Sequence, residues 1–265
     1  MRYFMSLYDK LVKLAYENKS LRKDLLPVIK QANPAGYFSS KTAKGSWNVD
    51  VSRTPLDRAR QYAEQRLARA GKDLYELWPD FDENYTMLRR KLSQALDIPR
   101  IQMPVIEPED MAKFHEKLNQ GKIDIFAPWA KGEFFAPSSF ASKDEADEWV
   151  ELGWQDGDPT GDVINAKWSS VAAGKLKPTQ SQIWFDKVVE GLVEFGPIRS
   201  GSPVLDLTII VSKEGYILDG HHRFAGTVLA NPSLRLSALY IPLDIDTLLA
   251  IGRAYGASQG NKPKA

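Results

Sequence analysis

One short stretch of the chain brings together the residue types that bind and act on an anionic ligand: Asp219-Gly220-His221-His222-Arg223. Two of the three histidines of the chain lie in it. Arginine offers a permanently charged fork of N–H groups that matches a phosphate, and histidine adds further donors. Three roles are open to Asp219, which could cap a helix, orient a histidine or hold a divalent cation.

The sequence on either side predicts a strand, a turn and a helix. Tyr216 to Leu218 is a short apolar run typical of a strand, and His221 to Leu229 has helical spacing. A helix that begins at this turn points backbone N–H groups and the positive end of its dipole toward a ligand, and Gly220 allows a close approach. The pattern therefore predicts a phosphate-binding turn. The competing interpretation is an ordinary helix start with Asp219 as N-cap.

This stretch lies within residues 216–226. Together with residues 176–180 (Leu-Lys-Pro-Thr-Gln), they resemble the ParB/sulfiredoxin superfamily, especially its ParB-like nuclease members. The resemblance covers about residues 166–250. It implies a turn that cradles the phosphates of ATP, ADP or CTP with Mg²⁺, and phosphoryl-transfer chemistry, either NTP hydrolysis or phosphodiester cleavage. It assigns phosphate binding to Thr179, Gln180, Gly220, His221, His222 and Arg223, catalysis to Asp219, His221 and His222, and the metal to Asp219.

Departures from the subgroups of the superfamily restrict the chemistry. Where sulfiredoxins carry a reactive cysteine this chain has His221, and it contains no cysteine at all, so reduction of a sulfinic acid is excluded. Of the residues that form the corresponding turn in partition proteins, this chain shares only Gly220 and Arg223. The free-serine kinases of the superfamily share the Asp-Gly-His-His-Arg sequence. The resemblance implies, however, that these kinases have a carboxylate near the start of the preceding helix, where this chain has Gln180. A small-molecule kinase therefore remains an alternative that lacks its base.

Composition and charge set wider limits on function. The 265 residues are 43% hydrophobic and carry a net charge of +1, which fits a folded protein. The absence of cysteine excludes disulfides and every cysteine-based metal site. Charge is uneven, however: +7 over residues 1–100, −7 over 101–175 and +1 over the rest. The basic first hundred residues motivate the alternative of a DNA-binding or DNA-processing protein. We expect no membrane span, and a cytoplasmic or, if the protein is of phage origin, a virion location.

Shifts in composition predict five segments and an α+β fold class. Residues 8–18 (Tyr-Asp-Lys-Leu-Val-Lys-Leu-Ala-Tyr-Glu-Asn) and 21–27 (Leu-Arg-Lys-Asp-Leu-Leu-Pro) resemble a short leader found on assorted predicted bacteriophage proteins, which implies a docking or packaging segment. Gln180 in place of a carboxylate motivates a third alternative, a non-catalytic virion structural or assembly protein that docks to an assembly partner through residues 1–32. The predicted segments are a helical segment 1–32, a linker 33–55, a mainly helical region 56–165, a ParB/sulfiredoxin-like domain 166–258 with a small mixed sheet and packed helices, and a flexible tail 259–265.

Further patterns predict individual elements. Helices are expected from Leu56, after Pro79, over Glu107 to Asn119, over Ser142 to Gly153, from a capping box at Thr179, and over Ile245 to Tyr255; strands are expected over Val204 to Ser212 and Leu236 to Ile241. Lower-ranked features are Asp156, Asp158 and Asp162 as a solvated turn rather than a Ca²⁺ loop, His115 as a surface or half-buried residue, and Trp129, Phe134, Phe135 and Phe140 as core or interface.

Overall fold

A computed structural model describes residues 49–99, 102–107, 110–123 and 163–261. The predictions for the N-terminal helical segment, for most of the linker, for the helix over Ser142 to Gly153 and for the last residues of the tail lie outside these ranges. So do those for the aromatic cluster and for the three aspartates at 156, 158 and 162. Among the described residues, no helix is long and apolar enough to cross a membrane.

The described residues form seven α-helices and five strands, which confirms a mixed α and β fold. The helices are α1 (Leu56–Ala68), α2 (Leu74–Leu77), α3 (Phe81–Leu92), α4 (Met111–Asn119), α5 (Phe185–Phe195), α6 (His221–Ala230) and α7 (Ile245–Ser258). The strands are β1 (Lys167–Ala172), β2 (Lys177–Pro178), β3 (Ile209–Val211), β4 (Tyr216–Asp219) and β5 (Arg235–Tyr240).

The strands form one mixed sheet in the order β1-β5-β3-β4-β2. β3 and β4 are an antiparallel hairpin that turns at Gly215, whose φ is +84°. β2 runs parallel to β4, and β5 runs parallel to β3. Because parallel strands end at the same edge of a sheet, the residues that follow β2 and β4 lie next to each other.

Helices cover both faces of this sheet. Ile209 and Ile217 point into a core shared with α1, α3, α5 and α6, whereas their chain neighbours Ile210 and Leu218 point into a second core shared with α4 and α7. This alternation follows from the two-residue repeat of a strand and makes the central strands apolar on both sides. The sheet is thus the middle of three layers, and the end of β4 is held firmly from both faces.

Several element boundaries differ from the sequence predictions. The predicted capping box at Thr179 is wrong, because the helix begins only at Phe185 and has no side-chain cap. The strand expected over Val204 to Ser212 shortens to β3, since Pro203–Leu205 is a 3₁₀ turn. The helix expected from Glu107 begins at Met111. Strand β1 had no sequence prediction.

The start of α7 offers a direct test of local stability. Asp244 accepts hydrogen bonds from the backbone N–H (2.9 Å) and the hydroxyl (2.9 Å) of Thr247. Burial alone would raise the pKa of Asp244, but these hydrogen bonds outweigh it and lower the pKa. The cap therefore stabilises α7 at neutral pH and is lost as the pH falls through the pKa of the folded state.

We expect Asp244→Ala to cost about 1 kcal/mol of unfolding free energy at pH 7, the usual loss for a removed N-cap. Urea denaturation followed by circular dichroism measures the change. Asp246→Ala, at an exposed position in the first turn of α7, is the matched control and should cost only a few tenths of a kcal/mol. Equal effects of the two substitutions would contradict the assigned cap.

Candidate functional site

The candidate site is the turn between β4 and α6, where the chain takes a backbone conformation that favours glycine. Gly220 has φ +100° and ψ 24° and is the N-cap residue of α6. A Cβ added there would lie 2.5 Å from Cγ2 of Ile209 and 3.1 Å from Nη2 of Arg223. Both the dihedral angle and the packing therefore require glycine. The close approach that Gly220 permits in this structure is to the protein's own side chains.

Arg223 lies in the first turn of α6 and folds back over Gly220. Its Nη1 donates to the backbone carbonyl of Thr208 at 3.0 Å, and its Nη2 donates to Oδ2 of Asp219 at 3.0 Å. The side chain is only 13% exposed. Burial lowers the pKa of Arg223 while Asp219 acts to raise it, and a guanidinium keeps its charge under such conditions. At least two donors of the predicted phosphate fork thus hold the site together.

Asp219 is the most accessible ionisable group of the turn. Its side chain is 44% exposed, although one oxygen accepts from Arg223. It does not cap α6, since Gly220 occupies the cap position and no side chain bonds to the helix end. The carboxylate is therefore oriented by Arg223 and still open to solvent, which leaves it able to bind a cation or a polar ligand.

His221 is 5% exposed and holds the neighbouring strand end in place. Its Nε2 accepts the backbone N–H of Thr179 at 3.1 Å and that of Gln180 at 3.3 Å. A ring nitrogen that accepts N–H groups carries no proton, so this geometry assigns the neutral tautomer with the proton on Nδ1. His221 consequently fixes the turn after β2 rather than facing solvent.

Thr179 is fully buried beside His221. Its hydroxyl lies 2.9 Å from Nε2 of His221 and donates to the carbonyl of Ile217 at 2.8 Å. The backbone carbonyl of Thr179 accepts the N–H of Ile98 at 3.0 Å. These bonds join β2, β4 and the segment after α3, so the side chain of Thr179 serves structure in this state and is not exposed to a ligand.

Gln180 and His222 complete the set of predicted site residues, and both are half-buried. Gln180 directly follows Thr179, at the same sheet edge as Asp219. On the far side of Gln180, the hydroxyl of Ser181 donates to the carboxylate of Asp97, whose φ is +59°. All seven predicted residues thus gather where β2 and β4 end. Thr179, His221 and Arg223 face inward, whereas Asp219 and Gln180 retain exposure, as does part of His222, whose Nε2 is buried.

The donor set around Asp219 limits the kind of metal site that can exist here. Within the described residues there is no group of three or more histidine, aspartate or glutamate side chains placed to hold a metal ion. Magnesium, however, is commonly bound by one or two carboxylates together with the phosphates of a substrate. The described residues of the site therefore fit a cation that arrives with a phosphate ligand, and do not by themselves form a complete metal site.

Outside the candidate site, His115 lies half-buried, as predicted. Its Nε2 is 3.2 Å from the carbonyl of Ala166, and its ring centroid is 5.0 Å from that of Trp168. It takes no part in the turn after β4.

Sequence reasoning missed two contributors to the site. The carbonyl of Thr208 accepts from Arg223, and no side-chain pattern signals a backbone acceptor. Asp97 lies far away in the chain and becomes a neighbour only through its bond to Ser181. No family model matches the chain, and neither a curated protein nor a solved structure was found to match it.

Proposed function

We propose that this protein binds the phosphate group of a nucleotide at the turn between β4 and α6 and carries out phosphoryl transfer there, either NTP hydrolysis or phosphodiester cleavage. The observation that carries the proposal is the half-exposed carboxylate of Asp219, oriented by Arg223 at the N-terminus of a ten-residue helix. Helix N-termini favour anions, and ligands of α/β sheets bind outside the carboxyl ends of strands.

The residues have separate roles in this proposal. Asp219 would hold a divalent cation, which would offset the negative charge of the phosphate, and Arg223 positions Asp219. His221 acts as a positioning residue, since it holds the Thr179-Gln180 backbone beside the turn. Gln180 and His222 are left to contact the ligand directly. In hydrolysis a water oxygen forms a bond to phosphorus while the bond to the leaving oxygen breaks. The proton of the water passes to solvent and the leaving oxygen takes up a proton.

Two alternatives from sequence, a small-molecule kinase and a virion protein, have less support. A small-molecule kinase needs a base to deprotonate its acceptor hydroxyl, and at the strand end beside Asp219 this chain has the neutral side chain of Gln180. A non-catalytic virion protein depends on residues 1–32, which lie outside the described ranges. The candidate site neither favours nor requires such a role.

Asp219→Asn tests the proposal with little risk to folding, because the side chain is half-exposed and the amide is isosteric. We expect the wild-type chain to bind at least one of ATP, ADP, CTP or GTP in the presence of Mg²⁺, and the variant to bind it at least about tenfold more weakly. Calorimetric titration with and without Mg²⁺ measures both. In the absence of Mg²⁺ the difference should shrink.

The control is Asp246→Asn, at the start of α7. Lys213 in the β3–β4 turn bonds to Leu243, so α7 begins at the end of the sheet opposite to Asp219. This variant should bind as the wild type does. Binding that is unchanged in Asp219→Asn, or the absence of binding by any nucleotide, would overturn the proposal.

A further inference from the structure

Four basic side chains lie around the start of the edge strand β2, about 10 Å from the strand ends that form the candidate site. Arg90 and Lys91 lie in the last turn of α3, Lys175 ends the 3₁₀ turn before β2, and Lys177 is the first residue of β2. Arg90, Lys175 and Lys177 are exposed. We call these four residues the β2 basic patch. None of the ion pairs formed among the described residues involves any of them.

One contact joins α3 to the basic residues around β2, and a second places Lys177 over the neighbouring strand. Nζ of Lys91 donates to the carbonyl of Leu176 at 2.9 Å, which fastens the end of α3 to the residue just before β2. Nζ of Lys177 lies 5.1 Å from the ring centroid of Tyr216, across the neighbouring strand. Burial lowers the pKa of Lys91, and repulsion from Arg90 and Lys177 lowers it further. The patch is therefore a concentration of positive charge whose members form no ion pair with a carboxylate of the described residues.

The position of the patch relates it to the candidate site. Lys177 is three residues before Gln180, a distance of about 10 Å along an extended chain. A polymer with one phosphate at the turn after β4 would therefore place neighbouring phosphates over the patch. A free nucleotide at that turn would leave most of the patch uncovered. A lysine on an edge strand also discourages pairing with a strand of another molecule. Basic residues in the last turn of α3 interact favourably with the helix dipole. Neither effect requires the four basic side chains to lie close together.

We propose that the β2 basic patch binds the phosphate backbone of a nucleic acid and leads it to the turn that contains Asp219. This inference rests on the proposed function and narrows its ligand from nucleotides in general to a polynucleotide. The patch supplies affinity without reading bases, because its contacts are charge contacts to phosphates.

A charge reversal on the full chain tests the patch. Arg90→Glu combined with Lys177→Glu changes two exposed side chains, neither of which makes a structural hydrogen bond. Binding of a labelled oligonucleotide, single-stranded and duplex, is followed by fluorescence anisotropy at several salt concentrations. We expect affinity to fall at least about tenfold. The slope of log affinity against log salt should fall by roughly 1.4 to 1.8, as for two lost phosphate contacts.

Arg58→Glu combined with Lys122→Glu is the matched control, since it changes net charge equally at exposed positions on α1 and after α4. It should leave affinity within about twofold of the wild type. The milder pair Arg90→Gln and Lys177→Gln gives a second reading if the charge reversal unfolds the chain, which circular dichroism reports. An equal loss in patch and control variants, or no loss in either, overturns the proposal. So does a patch-dependent affinity for polyglutamate that matches or exceeds that for the oligonucleotide.

Failure of the patch and failure of the proposed function give different results. If Asp219 controls nucleotide binding but the patch reversal leaves oligonucleotide affinity unchanged, the patch proposal is overturned and the proposed function stands. If oligonucleotide binding depends on the patch in a chain that binds no mononucleotide, the patch is supported and the proposed function is overturned.

Discussion

Gly220→Ala is expected to destabilise the protein by about 2–5 kcal/mol. One part is the backbone: at φ +100° an L-residue is strained by about 1–2 kcal/mol. The other part is steric, because the new Cβ would lie 2.5 Å from Ile209, a fully buried residue of the central strand β3. Forcing a methyl group into such a packed position costs about 1–3 kcal/mol. Urea denaturation at neutral pH measures the sum.

Gly71→Ala separates the two contributions. Gly71 has φ +67°, and an added Cβ there would meet nothing within 4 Å. This variant should therefore show the backbone cost alone, about 1–2 kcal/mol. If both variants lost the same stability, the contact of Gly220 with Ile209 would not be limiting, and the close packing of this turn would be contradicted.

The helices with regularly spaced apolar residues could be predicted from sequence, because that spacing shows which face of the helix is buried. The apolar stripes of α1 and α3 gave helices close to the observed ones, since one face of each lies in the core. Strand β1 gave no such signal. Its first four residues are exposed at the edge of the sheet, so its sequence shows no apolar alternation.

The false capping box shows where local reasoning fails. Thr179 and Gln182 have the right spacing, but the hydroxyl of Thr179 donates to Ile217, which is 38 residues away. A partner from another strand thus outcompetes the local helix end, and the chain stays extended until Phe185. Sequence spacing cannot reveal such a competitor before the strands are paired.

The same limit applies to the candidate site. The residue types between Asp219 and Arg223 and the strand-turn-helix context were predictable. The partners of Arg223 and His221 were not, because Thr208 and Thr179 are brought near only by the pairing of β3 and β2 with β4. In the structure, some side chains of the motif face inward and others remain exposed. The order of residues in the sequence does not show which side chains do which.

A second large effect is expected at a buried carboxylate in α5, outside the candidate site. Asp186, in the first turn of α5, is 1% exposed, and neither of its carboxylate oxygens has a well-aligned hydrogen bond. Burial raises its pKa, and Glu190 one turn later adds to this, while the backbone N–H groups of Asp186 and Val49 and the charge of Lys187 oppose it only in part. Burial and the same two carboxylates raise the pKa of Tyr62 to about 12.

The sign of the pH dependence follows from this raised pKa. In the unfolded chain Asp186 titrates near its ordinary value of 3.8, whereas in the folded protein it holds its proton to higher pH. Its protonated form therefore favours folding at low pH, and that contribution is lost as the pH rises through the pKa of the folded state. At neutral pH the buried charge destabilises the protein. The positive N-terminus of α5 and the charge of Lys187 reduce the cost without removing it.

Asp186→Asn is accordingly expected to stabilise the protein at pH 7 by roughly 1–3 kcal/mol, because it removes a buried charge whose burial costs several kcal/mol, although the amide itself stays buried. Because the acid is neutral in both states at low pH, the gain should vanish toward pH 3 and grow as the pH rises. Urea midpoints at a series of pH values measure this trend. Asp57→Asn, also in the first turn of a helix but 90% exposed, should show no such growth. A gain that is independent of pH, or a loss at pH 7, would mean that the carboxylate of Asp186 is well solvated or paired in the folded protein.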